Sequence, residues 1–310
     1  MRSPALPPAD PVPLLHRVRS NDHAKGHLQT ARPFIVQQQV YGHVLPVAAR
    51  ALKKFDSIFE VTADFVKLRD EHTDQQQRSD VIADVLERLR QEDSVPCLRG
   101  WRDELLAVRT SFHSSPVMLI ERAAGPLFGI RSYGCFTNGY ICHDGQRPTH
   151  IWLGRRSMQK STWPGKLDCI AAGGISAGQI PLQSMVKECE EEAGIPASLS
   201  AQLIPVGGVS YTGLASDEWG IKPDFLFTFD LQLEPSFQPV CADGEMESFQ
   251  LYPISEVVSM LISAEPLFKP NVGVVLVDFL VRHGFVACDE PGYIELVSSL
   301  RSGLLPHTDI

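Results

Sequence analysis

Ala172-Gly173-Gly174-Ile175-Ser176-Ala177-Gly178-Gln179-Ile180-Pro181 leads directly into Leu182-Gln183-Ser184-Met185-Val186-Lys187-Glu188-Cys189-Glu190-Glu191-Glu192-Ala193-Gly194-Ile195. The spacing predicts a glutamate-rich helix over Gln183 to Ala193. Pro181 suits a first helical position, because it lacks the N–H that a helix start leaves unpaired. Gly194 is a natural terminator. Met185, Cys189 and Ala193 recur every fourth residue and can face a core, so Cys189 reads as packing rather than as a nucleophile. Glu188, Glu191 and Glu192 stand at i, i+3 and i+4, which stacks their carboxylates on one side. A glutamate run alone is usually a solvated face. Here it follows a glycine-rich loop at a fixed offset, and glycine permits tight turns at the helix start. Crowded carboxylates repel one another, and a divalent cation removes that penalty. Hard oxygen donors of this kind suit Mg²⁺ or Mn²⁺, with water and substrate phosphate completing the shell.

Outward from the helix, the pattern is α+β. Arg131 to Asp144 and His150 to Arg155 read as strands, as do Ile204 to Val209, Phe225 to Leu233 and Phe249 to Tyr252. Helices are expected over Val272 to His283 and Tyr293 to Leu300. Strands interrupted by one helix and followed by others suggest a mixed sheet covered on both faces. Towards the N-terminus, Phe34, Val36 and Val40 read as a short strand, with a turn at Tyr41-Gly42-His43. Ala48 to Phe55 and Val81 to Leu89 read as helices, and Phe59 to Val61 and Glu104 to Arg109 as strands. These predict an N-terminal α+β domain over residues 32–128, followed by the main domain over 129–310. Residues 1–31, rich in Pro, His and Arg, read as a poorly ordered leader.

The formal charge is 28 − 37 = −9 over 310 residues. An acidic surface argues against generic nucleic-acid binding, which needs Lys and Arg to displace counterions. It leaves room for a phosphate-bearing small molecule, because a bound metal can reverse the local field. Seven scattered cysteines without a CxxC pair suit reduced thiols and no zinc site. Five prolines in Met1 to Pro13 are unlike a signal peptide. The longest apolar run, Val272 to Val281, is interrupted by Asp278 and is far shorter than a bilayer span. The expected setting is soluble and cytoplasmic, without membrane contact.

The quoted stretch resembles the Nudix box: Gly, five residues, Glu, seven residues, Arg-Glu, an apolar residue, any residue, Glu-Glu, any residue, Gly, apolar. Gly173 takes the first glycine and Glu188 the glutamate of the Arg-Glu pair. Cys189 takes the apolar place, Glu191 and Glu192 the Glu-Glu pair, and Gly194-Ile195 the close. Gln179 stands where the first glutamate is expected, and Lys187 replaces the arginine without its bidentate fork. Further phrases are Gly100 to Glu104, Thr162 to Asp168, Phe268 to Asn271 and Asp278 to Gly284. With them, residues 32 to about 301 resemble a Nudix subfamily that has its own N-terminal domain. Members of that subfamily occur in fungi fused to thiamine pyrophosphokinase, and also in plants and bacteria.

The resemblance implies a Nudix α/β/α sandwich and hydrolysis of a diphosphate linkage. The substrate it implies is thiamine diphosphate or its damaged oxo and oxy analogues, giving the monophosphate and phosphate. Rivals are a Nudix hydrolase of ADP-ribose or a dinucleotide, or a binding module on the same fold. The implied metal site comprises Gly173, Glu188, Glu191, Glu192, Glu245 and Glu247, and the catalytic carboxylates are Glu188, Glu191, Glu192 and Glu245. Glu245 precedes Glu247 as the choice of downstream glutamate. Arg155, Trp163, Gly173, Gly174 and Lys187 are expected near the diphosphate, where Arg can clamp phosphate oxygens. Trp163 and Arg155 can equally be a turn former and a surface charge. The N-terminal domain is expected either to read the organic end of the substrate or to mediate a homodimer.

Overall fold

The computed structural model describes residues 9–143 and 147–303 of the chain. Its first element is α1 (Pro11–Arg19), followed by the short α2 (Lys25–Leu28). Asp10 caps α1 by accepting the Val12 N–H at 2.9 Å, and Leu14, Leu15 and Val18 are buried. This corrects the expected poorly ordered leader from Ala9 onward; residues 1–8 of it lie outside the described residues. The physical reason is burial: a proline-rich composition hid three apolar residues on one face of a capped helix. Arg17 then donates to the carbonyls of Leu261 at 3.0 Å and Ser263 at 2.8 Å, tying α1 across the molecule.

The N-terminal unit contains β1 (Arg32–Val36), β2 (Gln39–Val44), α3 (Pro46–Leu52), β3 (Phe59–Val61), β4 (Val66–Leu68) and α4 (Gln75–Gln91). Its sheet runs β2-β1-β4-β3. The turn expected at Tyr41-Gly42-His43 lies inside β2 instead, and the chain reverses at Gln37, which adopts φ 58°. Gly42 is required for close approach: a side chain there would strike the backbone of Phe128 and Gly129. A hairpin, β5 (Leu105–Val108) with β6 (Met118–Glu121), leads into α5 (Gly125–Phe128). Phe34, Phe59, Leu86, Met118 and Phe128 belong to one core that runs through this unit as far as Ile130.

The second part holds β7 (Ser132–His143), β8 (Arg147–Arg156), β9 (Leu167–Cys169), β10 (Ala171–Gly174), α6 (Pro181–Ala193), α7 (Ala197–Ser200), β11 (Ile204–Leu214), β12 (Ile221–Gln232) and β13 (Met246–Pro253). α8 (Ile254–Ile262), α9 (Pro270–Arg282) and α10 (Tyr293–Ser299) complete it. The sheet order is β11-β12-β7-β8-β13, with β10 on β7 and β9 on β8. β12 runs parallel to β7, while β11 on β12 and β8 on β7 are antiparallel, so the sheet is mixed. One face, with Cys135, Trp152 and Phe229, packs beneath Met185, Cys189 and Ala193 of α6. The other, with Phe136, Leu153 and Val209, packs against residues of α1, α8, α9 and α10. This is the Nudix α/β/α sandwich, preceded by a smaller α+β unit. Among the described residues no helix is long and apolar enough to cross a membrane.

Candidate active site

The glycine-rich loop leaves β10 and returns into α6 under local hydrogen bonds. The Gln179 side-chain oxygen accepts from the Ser176 N–H at 3.1 Å and the Ser184 hydroxyl at 3.4 Å. Gln179 therefore pins the loop to the helix start, a task that needs an acceptor but no charge. At the far end Gly194 adopts φ 62°, and Ile195 donates to the Cys189 carbonyl at 3.0 Å, closing α6 as a left-handed cap does.

Glu188 and Glu192 converge from α6 on β10. Glu192 is only 2% exposed and accepts the Ala172 N–H at 2.8 Å. The half-buried Glu188 lies over Gly173, where a side chain of any size would overlap its carboxylate. Just before β13, Glu245 comes near enough to Glu192 for the two carboxyls to influence each other, while Lys160 holds its Oε1 at 2.6 Å. Burial, then the nearby Asp168, push the Glu192 carboxyl well above the usual carboxylate range. Burial also raises Glu188, and Glu191 and Glu245 add to it against Lys187 and Arg122. Glu245 goes the other way: burial would raise it, but the Lys160 hydrogen bond and charge outweigh that and lower it. Burial and neighbouring charge therefore push the Glu192 and Glu245 carboxyls in opposite directions.

The other expected residues are placed as follows. Glu191 is exposed and pairs with Lys187 at 2.8 Å along the outer face of α6. Glu247 is exposed and accepts the Met158 N–H at 3.0 Å. Arg155 shares a sheet face with Ile151 and Leu153, opposite α6, and donates to the Gly165 carbonyl at 2.9 Å. It lines a surface cavity of about 360 Å³ with Lys166, Tyr252 and Glu256, away from the acidic group. Trp163 is 47% exposed and adopts φ 53°; its carbonyl accepts from Arg156 at 3.1 Å.

Strand alternation turns the next residue, Arg156, to the α6 side. It is buried, bonded to Asp168 at 2.9 Å, the Trp163 carbonyl at 3.1 Å and the Thr162 carbonyl at 2.9 Å. Lys269 joins Asp168 at 3.0 Å. Arg156 thereby fixes the loop that carries Lys160 to Glu245. Counting alternation from Trp152 would have separated Arg156 from Arg155. In the N-terminal unit the phrase Gly100 to Glu104 includes one residue beside the site, Glu104, but no motif signals Arg122. Arg122 lies against Gly174 and is held by Glu104 at 2.6 Å, and Glu104 also accepts from Ser176 at 3.3 Å.

The residues fit a divalent cation in their chemistry. Three hard-oxygen side chains, Glu188, Glu192 and Glu245, influence one another in a partly buried corner where their negative charges oppose each other. Among the described residues, no group of three or more His, Cys, Asp or Glu is already placed to hold a metal ion.

Comparison with known proteins identifies the family of both parts of the chain. Residues 13–132 match a domain of unknown function, DUF4743, and residues 138–272 match the NUDIX domain. The chain is 38% identical over 279 residues to Nudix hydrolase 20, chloroplastic, of Arabidopsis thaliana, covering 87% of this chain and 72% of that one. It is similarly 38% identical over 273 residues to Nudix hydrolase 24, chloroplastic, of the same plant, covering 87% and 73%. An uncharacterized protein of Saccharomyces cerevisiae, YJR142W, is 34% identical over 261 residues, covering 81% and 75%. Among solved structures, the NUDIX domain of Shewanella oneidensis NrtR complexed with ADP ribose aligns at TM-score 0.37 and 12% identity, covering 50% of this chain and 90% of that one. With relatives matched through both parts and a box helix set on the sandwich, the chain belongs to the Nudix hydrolase family.

Proposed function

We propose that this Nudix hydrolase removes the terminal phosphate of thiamine diphosphate or its oxo and oxy analogues, working from Glu188, Glu192 and Glu245 with Mg²⁺, or Mn²⁺ in its place. The observation that carries the site is the convergence on β10 of Glu192, which accepts the Ala172 N–H at 2.8 Å, and Glu188, which lies over Gly173, with Glu245 held by Lys160 at 2.6 Å. The substrate rests on the resemblance through both parts of the chain. Nudix hydrolases generally use divalent metals. Bound here by Glu188, Glu192 and Glu245, the ion would offset phosphate charge and lower the pKa of water. Glu245, kept ionised by Lys160, is the carboxylate able to take a proton from an attacking water. Glu192 is anchored by the Ala172 N–H and fixes the distance between α6 and β10. Arg156 and Asp168 position Glu245 through the Lys160 loop. Arg122, beside Gly174, supplies positive charge where the diphosphate would lie.

The test is a turnover panel with Mg²⁺: thiamine diphosphate, oxothiamine diphosphate, oxythiamine diphosphate and ADP-ribose. The expected products are a thiamine-type monophosphate and inorganic phosphate, with turnover abolished by EDTA. Glu192→Gln should lower kcat by about a hundred-fold or more, the usual range for losing a positioned carboxylate. Cleavage of ADP-ribose alone would move the proposal to another diphosphate, and full activity in Glu192→Gln would move the chemistry to another site.

A further inference from the structure

On the α6 side of the sheet, four aromatic rings lie side by side at the margin of the core that α6 covers. Phe112 comes from the loop between β5 and β6, Tyr133 from β7, and Phe225 and Phe227 from β12. All four are half-buried. Phe112 meets Tyr133 at 4.8 Å and Phe227 at 5.1 Å, both edge-on, and Phe225 meets Phe227 at 4.9 Å. Further along β12, Phe229 and Leu231 are fully buried with α6 residues. Gly208, on the neighbouring strand, leaves the space that the Phe225 ring occupies.

A cation stands over this surface. The Arg109 guanidinium lies 4.1 Å from the Phe112 ring centroid and 5.3 Å from that of Tyr133. Its Nε is buried without a hydrogen-bond partner, out of reach of an incoming acceptor; the residue as a whole is part-exposed, so an acceptor would meet the terminal amino groups of the guanidinium. The patch adjoins the acidic group. Tyr133 is two residues from Cys135, roughly 7 Å along the strand. Cys135 in turn sits opposite Gly173, beneath Glu188.

We infer that Arg109, Phe112, Tyr133 and Phe227 form the subsite for the organic end of the substrate, a planar heteroaromatic ring that carries a hydrogen-bond acceptor. The inference rests on the diphosphate hydrolase reading, because the acidic group fixes where the phosphates lie and the patch is one ring's reach away. Stacking holds the ring by its π-face, and Arg109 selects for an acceptor at its edge. Two of the four residues, Arg109 and Phe112, come from the N-terminal unit, which gives that unit a direct part in substrate choice.

Calorimetric binding in EDTA tests this without turnover, using the full chain and three probes: oxothiamine monophosphate, adenosine monophosphate and methyl phosphate. Wild type should bind at least one ring-bearing probe about ten-fold more tightly than methyl phosphate, in line with one aromatic stack. Phe112→Leu, which keeps apolar volume without a π-face, should reduce that preference to about three-fold or less. Arg109→Lys, which keeps the charge but loses the planar fork, should do the same. Thermal melting of both variants establishes that each is folded. The subsite is wrong if wild type shows no ring preference, or if both folded variants keep it. The hydrolase reading fails on a different measurement, when wild type with Mg²⁺ cleaves none of the diphosphates.

Discussion

Gly173 shows how little freedom the acidic corner has. A methyl group there would overlap the Glu188 carboxylate, whereas at Gly178, in the same loop, nothing lies within 4 Å. Gly173→Ala should therefore displace Glu188 by about an ångström and lower kcat by about a hundred-fold, the penalty for misplacing a reacting group by that much. Gly178→Ala meets only the cost of its φ of 84°, about 1 to 2 kcal/mol, and should keep its turnover. Steady-state kinetics on both variants measure the contrast; equal kcat values would remove Glu188 from the chemistry. Single residues were the hardest part to read from sequence. The box named Glu188 and Glu192 because their spacing alone places them on one helix face. It could not show that Glu191, one residue away, points outward to Lys187. Nor could it bring in Arg122 or Arg109, because no local pattern records a contact between residues so far apart in the chain.

Elements were clearer wherever periodicity was long. α6, β7, β8, β12 and α9 all coincide with stretches predicted from apolar spacing and breakers, while the three-residue β4 is too short to show alternation. α1 is the instructive miss. Its Asp10-Pro11 start is an ordinary helix signal, but the surrounding prolines and arginines outweighed it. Burial makes α1 a structural element, and that has a measurable consequence. A chain beginning at Arg32 would uncover the surfaces that Leu14, Leu15 and Val18 now cover, each worth about 1.5 to 3 kcal/mol when fully buried. Leu14→Ala alone should cost about 2 to 5 kcal/mol in urea unfolding. A loose leader would lose nothing by either change, so unaltered unfolding midpoints would return α1 to that status.

Across the whole molecule, the sandwich is tied on the side away from the acidic corner by a charge network that the sequence showed only as interruptions of apolar runs. Asp230 of β12, 3% exposed, accepts from Asn138 of β7 at 3.0 Å and from Arg282 of α9 at 2.6 and 3.0 Å, and contacts His283 at 2.9 Å. Asp278 pairs with Arg282 at 2.7 Å and with Arg301 at 2.8 Å, joining the chain's last described stretch to the same group. Burial would raise the Asp230 carboxyl, but the hydrogen bonds from His283 and Arg282 and the Arg282 charge outweigh it and hold it below the ordinary range. Because the folded chain binds this proton more weakly than the unfolded chain, the contribution to stability is complete above the ordinary aspartate range. It is lost as pH falls through that range towards the depressed folded value. Asp230→Asn should cost about 3 kcal/mol or more at neutral pH, since it strips the counter-charge from a largely buried Arg282. The same variant should flatten the acid limb of the stability profile, so that wild type and variant converge as pH drops. Urea midpoints measured from neutral to acid pH test this. Parallel profiles would mean that Asp230 binds its proton equally in both states, and the network would then contribute packing and geometry rather than charge.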